Sequence, residues 1–279
     1  MFLHCGKYQL DLSRPRVMGI VNVTPDSFSD GGRHLSHDAA IAHAHKLIAD
    51  GADLLDIGGE STRPGAAAVS EQEELARVLP VIEGLRDSAV PISIDTCKPV
   101  VMRAALAAGA SMVNDINALQ APDALAAVAD SDAAVCLMHK QGDPESMQRA
   151  PHYADVVSEV SAFLQARIEA MRAAGIGNGR IVIDPGFGFG KTLAHNLELL
   201  RELSAFSALG VPLLAGVSRK SMLGAITGRE VGERLAASVA AALLAVQRGA
   251  SIVRVHDVRE TVDVLKLWDA VKDFKAEKV

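Results

Sequence analysis

The chain has few cysteines, no excess of positive charge and no long hydrophobic run, and each scarcity removes a class of function. Its three cysteines, Cys5, Cys97 and Cys136, are odd in number and far apart, with neither a CxxC pair nor a Cys/His ligand spacing. A disulfide framework is excluded, and reduced structural thiols of a cytoplasmic protein are expected. With 28 Lys+Arg against 34 Asp+Glu the net charge is −6, which argues against a nucleic-acid binder. Any anionic ligand then needs a local cluster of cations. The segment MFLHCGKYQLDLSRPR has no continuous apolar core of the kind an export signal needs, and apolar runs elsewhere are too short or interrupted to cross a bilayer, so no membrane association is expected. The isolated histidines His34, His37, His43 and His45 form no metal constellation, since His43 and His45 are two apart on a helix and face different ways.

What is present is an alternation. Eight short β-branched runs, at 17–23, 53–59, 91–96, 111–116, 133–139, 181–186, 212–218 and 251–257, are each apolar along the body and polar at the end. Amphipathic stretches separate them, which is the pattern of a parallel sheet with crossover helices. Ser70 with Glu73 fits a capping box opening a helix to about Ser88, and Val156, Val160, Phe163, Leu164, Ile168 and Met171 stripe a long helix ending at Gly175. Eight such units within 279 residues, with no linker, low-complexity tract or charge block, predict a single-domain (β/α)8 TIM barrel, with residues 1–16 as a hairpin plugging its bottom.

In such a barrel the C-terminal strand ends converge on one mouth. This chain places Asn22, Asp56, Asp95, Asn114, Asp115, Met138, His139, Asp184, Ser218, Arg219, Lys220, Arg254 and His256 at or near those ends. Taken singly, an Asp or Asn at a strand end is more often a turn or helix cap than a catalytic group. Together they crowd charges into a low-dielectric cavity, which makes sense if a ligand uses them. Arg254 and His256, two apart on one strand, face the interior if Val253 and Val255 pack on helices. An interior arginine needs an anion: either an Asp across the barrel or, the preferred expectation, a phosphate near the last two strands. Two loops rich in Gly, Pro, Ser and Asp, 24–36 and 60–70, are long enough to close over a reaction or to be plain connections.

The run from Gly186 to Thr192 fails as a nucleotide fingerprint. A P-loop needs Gly where Pro185 stands, and a dinucleotide motif needs Gly at the position of Lys191. Glycines flanking Phe187 and Phe189 instead predict a tight mouth loop that sets an aromatic ring against a flat substrate, or anchors the loop.

The motifs MGIVNVTPDSFSDGG, DIGGESTRPGA, SIDT, VNDI, MHKQG, DPGFGFGK, GVSRKSMLG and RVHDV, spanning residues 17–258, resemble those of the dihydropteroate synthases. The resemblance implies an enzyme that joins a pterin methyl diphosphate to p-aminobenzoate and releases pyrophosphate. It implies that Asp95, Asn114 and Asp184 read the pterin edge with Lys220 on the ring and Met138 against its face. Asn22, Arg63, Arg254 and His256 would hold the diphosphate, with Mg2+ taking Asn22 as ligand. Ser221 would meet the aminobenzoate carboxylate, Thr62, Pro64 and Phe189 would wall its ring, and Gly216, Ser218 and Arg219 would complete the substrate site. Asp95, Asp184, Lys220, Arg254 and His256 are thus the catalytic set, sulfonamides are expected inhibitors, and a homodimer is implied, with residues 236–244 offering an apolar face. Cys97, Lys140 and Asn117 depart from the family pattern, and none carries an assigned role. Two rivals remain: a pterin-dependent methyltransferase domain, which should lack TPDSFSDGG, STRPG and SRKS, and a non-catalytic pterin-binding module, which should lack Arg63, Lys220 or Arg254.

Overall fold

The computed structural model of the protein describes residues 1–23, 33–61, 69–143, 146–272 and 274. Two antiparallel strands, β1 (Phe2–Cys5) and β2 (Tyr8–Asp11), precede eight parallel ones. These are β3 (Arg16–Asn22), β4 (Leu54–Gly58), β5 (Ile92–Asp95), β6 (Met112–Asp115), β7 (Ala134–Met138), β8 (Ile181–Asp184), β9 (Leu214–Ala215) and β10 (Ile252–Val255). They are hydrogen-bonded in the order β8-β7-β6-β5-β4-β3-β10-β9. A bridge between Ile183 and Leu213, with Ile183 N–H donating to Pro212 O at 3.0 Å, joins the two ends and closes the sheet into a barrel. The predicted (β/α)8 architecture is therefore the observed one.

Eight strands stand where the sequence places them, but the seventh is much shorter than 212–218. Pro212 has no N–H to give a ladder and Gly216 follows the pair Leu214–Ala215, so regular pairing is confined to the middle. The intervening helices are α1 (Arg33–Ala49), α2 (Glu71–Leu85), α3 (Pro99–Ala108), α4 (Ala124–Ala129), α5 (Val156–Ala173), α6 (Leu193–Arg201), α7 (Ser221–Thr227), α8 (Leu235–Gln247) and α9 (Val258–Lys272). The Ser70 hydroxyl accepts from Glu73 N–H at 3.2 Å and caps α2, but the predicted capping box is only half formed, because the Glu73 carboxylate pairs with Arg77 instead, and the helix stops at Leu85. The stripe on α5 buries Val156, Val160, Leu164, Ile168 and Met171 against the barrel wall. Among the described residues no helix is long and apolar enough to cross a membrane.

Strand periodicity sorts side chains into two apolar bodies. Leu55, Ile57, Val113, Val135, Ile183, Val253 and Val255 point outward into the layer shared with the helices. Met18, Leu54, Met112, Ala134, Cys136, Val182, Leu214 and Ile252 point inward and fill the lower barrel. Leu3 and Cys5 of β1 belong to that inner body and are fully buried. The hairpin is pinned there by Gly6 N–H on Asp132 O at 2.9 Å and Tyr8 Oη on Ser88 O at 2.8 Å.

A Leu3→Ala substitution removes the largest fully buried hairpin side chain from this closed bottom layer and should lower unfolding free energy by about 2–5 kcal/mol in urea titrations. A change below about 0.5 kcal/mol, the range of surface substitutions, would mean the hairpin does not seal the barrel.

Candidate active site

Above the apolar floor the inward positions turn polar. Arg254, inward by the same periodicity that sends Val253 and Val255 to the helices, reaches across the barrel: its Nε lies 2.5 Å from Asp56 Oδ2 and its Nη2 2.7 Å from Asp95 Oδ2. Asn114 Nδ2 donates to the same Asp56 oxygen at 3.0 Å. The cross-barrel ion pair, not preferred from sequence, is thus the arrangement found. One buried cation serves two carboxylates because Asp56 and Asp95 come from neighbouring strands and both face inward.

The electrostatics follow from that ratio. Burial raises the Asp95 carboxyl, Arg254 pulls it down, and Asp56, Asp115 and Glu74 push it up, the balance lying at about 7. Arg254 is itself held above its ordinary value, since burial is outweighed by Asp56 and Asp95. Asp184, at the end of β8, is raised by burial, and its upward shift is opposed by a 2.7 Å hydrogen bond from Gly186 N–H and by Lys220, Lys191 and Arg254. Gly216 sits beside it: a methyl group there would lie 3.7 Å from Asp184 Oδ2.

An apolar shelf completes the mouth. Ile116, Met138, Met147 and Phe189 form a small buried cluster with Cys97 against it, and Lys220 Nζ stands 4.2 Å from the Phe189 ring centroid. Lys220 precedes the short α7, whose first residue is the exposed Ser221. At the neighbouring rim the Ser218 hydroxyl accepts from His256 N–H at 3.2 Å and pairs with His256 Nδ1 at 3.0 Å. Arg219 is engaged elsewhere, in a two-pronged ion pair with Asp257. Asn22 ends β3 half-buried.

The structure therefore brings Asp95, Asn114, Met138, Asp184, Phe189, Gly216, Lys220 and Arg254 into the mouth, sets Ser218 and His256 beside each other at its rim, and turns Arg219 toward Asp257. Thr62, Arg63 and Pro64, and most of the loops 24–36 and 60–70, lie outside the described residues. Two residues that sequence reasoning left without a role are prominent. Asp56 is fully buried at the hub of the ion network, and its signal was a charge at an inward position, two residues from Leu54. Lys191 is buried beneath the β8 loop. Two cavities, of about 430 Å3 beside Lys140 and Asp143 and about 360 Å3 at the hairpin, touch none of Asp56, Asp95 and Asp184. Chemistry, not hollow volume, locates the site.

Among the described residues no group of three or more His, Cys, Asp or Glu could hold a metal. A lone carboxamide oxygen at Asn22 suits only a hard cation that arrives coordinated by phosphate oxygens, as Mg2+ does.

A parallel barrel whose mouth sets acceptor-only carboxylates, an amide and a lysine against an apolar shelf is built to grip a flat, donor-rich heterocycle. A family model described as pterin binding enzyme matches residues 18–256. The dihydropteroate synthase of Escherichia coli K12 is 50% identical over 270 residues, 96% of each chain. A Xanthomonas albilineans dihydropteroate synthase solved with 4-aminobenzoic acid is 58% identical, with TM-score 0.93 over 98% of this chain and 99% of that one. In a second structure of that enzyme, with 7,8-dihydropteroate, the match is 55% identical over 99% and 100% of the two chains, with TM-score 0.90. The Yersinia pestis enzyme, solved as a sulfonamide drug complex, is 51% identical with TM-score 0.93, over 98% and 100%. The chain belongs to the dihydropteroate synthases.

Because the Asp95 carboxyl rises from about 3.8 to about 7 on folding, the native state binds a proton in that window which the unfolded chain has released. Stability therefore falls as pH rises through it. Urea unfolding from pH 4 to 7 should show a shallower fall for Asp95→Asn than for the parent chain, and equal slopes would show that Asp95 is not the group holding the proton.

Proposed function

We propose that this chain condenses 6-hydroxymethyl-7,8-dihydropterin diphosphate with p-aminobenzoate to give 7,8-dihydropteroate and pyrophosphate, a step of folate biosynthesis. The observation that carries this reading is the juxtaposition of Asp95, Asn114, Asp184 and Lys220 above Met138 in a barrel so similar to one solved with the product. A carboxylate accepts from the donor-rich pyrimidine edge of a pterin, an amide reads its mixed edge, and the thioether packs on the ring face. Lys220, placed over Phe189, lies between the heterocycle and the aromatic pocket.

The reaction is read as dissociative substitution at the exocyclic methylene. The carbon–oxygen bond breaks, the electron pair leaves with the diphosphate, and the cation left behind delocalises into the ring. Asp95 and Asp184 lie where that positive charge spreads, so their field favours the transition state over the neutral ground state. Arg63, Arg254 and His256 are assigned to the departing diphosphate, with Ser218 orienting the imidazole. Asn22 would be the protein ligand for Mg2+, which when bound would neutralise diphosphate charge. Arg254 then divides its guanidinium between the carboxylate layer and the leaving group. The arylamine nitrogen attacks in its neutral form, and the anilinium loses its proton to water or pyrophosphate, so no side chain is assigned as general base. Thr62, Pro64 and Phe189 wall the aminobenzoate ring, Ser221 meets its carboxylate, and Gly216 leaves room beside Asp184. For Arg219 the geometry supports a role through Asp257 rather than on substrate.

The methyltransferase and binding-module alternatives have no support among the dihydropteroate synthase relatives. We also read the chain as one domain with residues 1–16 as its plug. It is cytoplasmic by its free cysteines, and dimeric through the α7–α9 side, where Ile226, Leu235, Leu244, Leu267 and Val271 are exposed.

With pterin diphosphate, p-aminobenzoate and magnesium, the protein should release pyrophosphate, and Asp184→Asn should lower kcat/KM by about 10- to 100-fold through loss of a charged acceptor. Absence of release from the parent chain would sink the assignment. Arg254→Ala is a poorer probe, because it also strands Asp56 and Asp95 and should cost about 3–5 kcal/mol of stability.

Sulfonamides should compete with p-aminobenzoate for the Phe189–Lys220 pocket. Inhibition that ignores aminobenzoate concentration would count against that placement.

A further inference from the structure

We propose that Lys191 is a positioning residue for the aminobenzoate half of the reaction: its buried ammonium ties the loops after β7 and β8 together and so fixes Phe189 beneath Lys220. The inference rests on the reading of Phe189 as a wall of that pocket.

The geometry is that of a cation held by backbone. Lys191 Nζ lies 2.9 Å from Gly186 O, 3.0 Å from Phe189 O, 3.3 Å from His139 O and 3.0 Å from His139 Nδ1, and the side chain is 3% exposed. Among the described residues no carboxylate pairs with it directly; burial lowers the pKa of its ammonium to about 7, and the backbone carbonyls are what hold its N–H donors. An arrangement this costly is unneeded for packing alone, where a methionine fills the same space. Its acceptors come from both loops, and one of them is the carbonyl of Phe189 itself.

The two loops touch through backbone, which explains the glycines. At Gly186, with φ +73°, an added methyl carbon would stand 1.9 Å from His139 O, and at Gly190, with φ +62°, 2.2 Å from Gln141 O. Such close approach leaves no room for a side chain at these two positions, and Lys191 holds the loops from beneath while Gln148 Nε2 donates across them to Gly188 O. Tyr153 Oη adds a donor to Gly190 O at 2.9 Å. Phe189 N–H closes the turn on Gly186 O at 3.2 Å. The Phe189 ring is thereby set between the shelf and Lys220.

The test is a double-mutant cycle read through both Michaelis constants. Phe189→Ala and Lys191→Met should each raise the aminobenzoate KM by about tenfold while the pterin diphosphate KM stays within about threefold, and the double variant should be no worse than the worse single one, the non-additivity of residues acting as one unit. Tyr153→Phe, which removes one hydroxyl and keeps the shape, should show the same split at smaller amplitude and serves if Lys191→Met does not fold. If Phe189→Ala leaves the aminobenzoate KM unchanged, the reading of Phe189 fails and the proposal with it. If Phe189→Ala raises it but Lys191→Met and Tyr153→Phe only lower the melting temperature, or if the two effects multiply, the role of Lys191 alone is overturned.

Discussion

The contact on which the mouth depends is the bridge from Arg254 to Asp56 and Asp95. A guanidinium inside a barrel is tolerable only when its planar fork finds carboxylates, and carboxylates there are tolerable only beside a cation. The fork geometry fixes Arg254 across the barrel, Asp56 is fixed by Arg254 and Asn114, and Asp95 follows. The floor beneath must then be closed and dry, which is what Leu3, Cys5 and the inward apolar layer provide. Binding chemistry and barrel integrity share the same residues.

From that anchor the mouth divides by chemistry. One side is acidic and reads donors, through Asp95, Asn114 and Asp184. The opposite side joins an apolar shelf to Lys220, and the rim near β10 carries Ser218 and His256. A substrate with a donor-rich ring at one end and an anion at the other can satisfy both sides only in one orientation. The barrel supplies the separation, because neighbouring strands project their ends at fixed spacing around a single opening.

The architecture was largely legible in the sequence because parallel barrel strands are buried on both faces and announce themselves as continuous β-branched runs, and because period-two alternation assigned Arg254 to the interior. The shortening of β9 was less legible, since Pro212 and Gly216 limit pairing by backbone chemistry that an apolar run hides. Most of the polar set was readable as strand-end residues. Its internal wiring was not: sequence gives Arg254 a need for an anion but not the distance to Asp56, which lies 198 residues away. Lys191 was read only as a broken phosphate motif, because its partners are carbonyl oxygens, which leave no trace in side-chain identity.

Asp184 shows how the layer distinguishes its structural from its receptive acids. Asp56 Oδ2 is occupied by Arg254 and Asn114, and Asp95 Oδ2 by Arg254, whereas Asp184 is steadied mainly by one N–H from Gly186. Its remaining stabilisation comes from cations at a distance, and Gly216 keeps side-chain atoms away from Oδ2. Its raised proton affinity in the folded chain therefore reflects desolvation without full pairing. A ligand that brings two parallel N–H groups to that oxygen pair replaces the lost hydration with charge-assisted bonds, and the free energy held in the under-paired carboxylate becomes affinity for the donor edge.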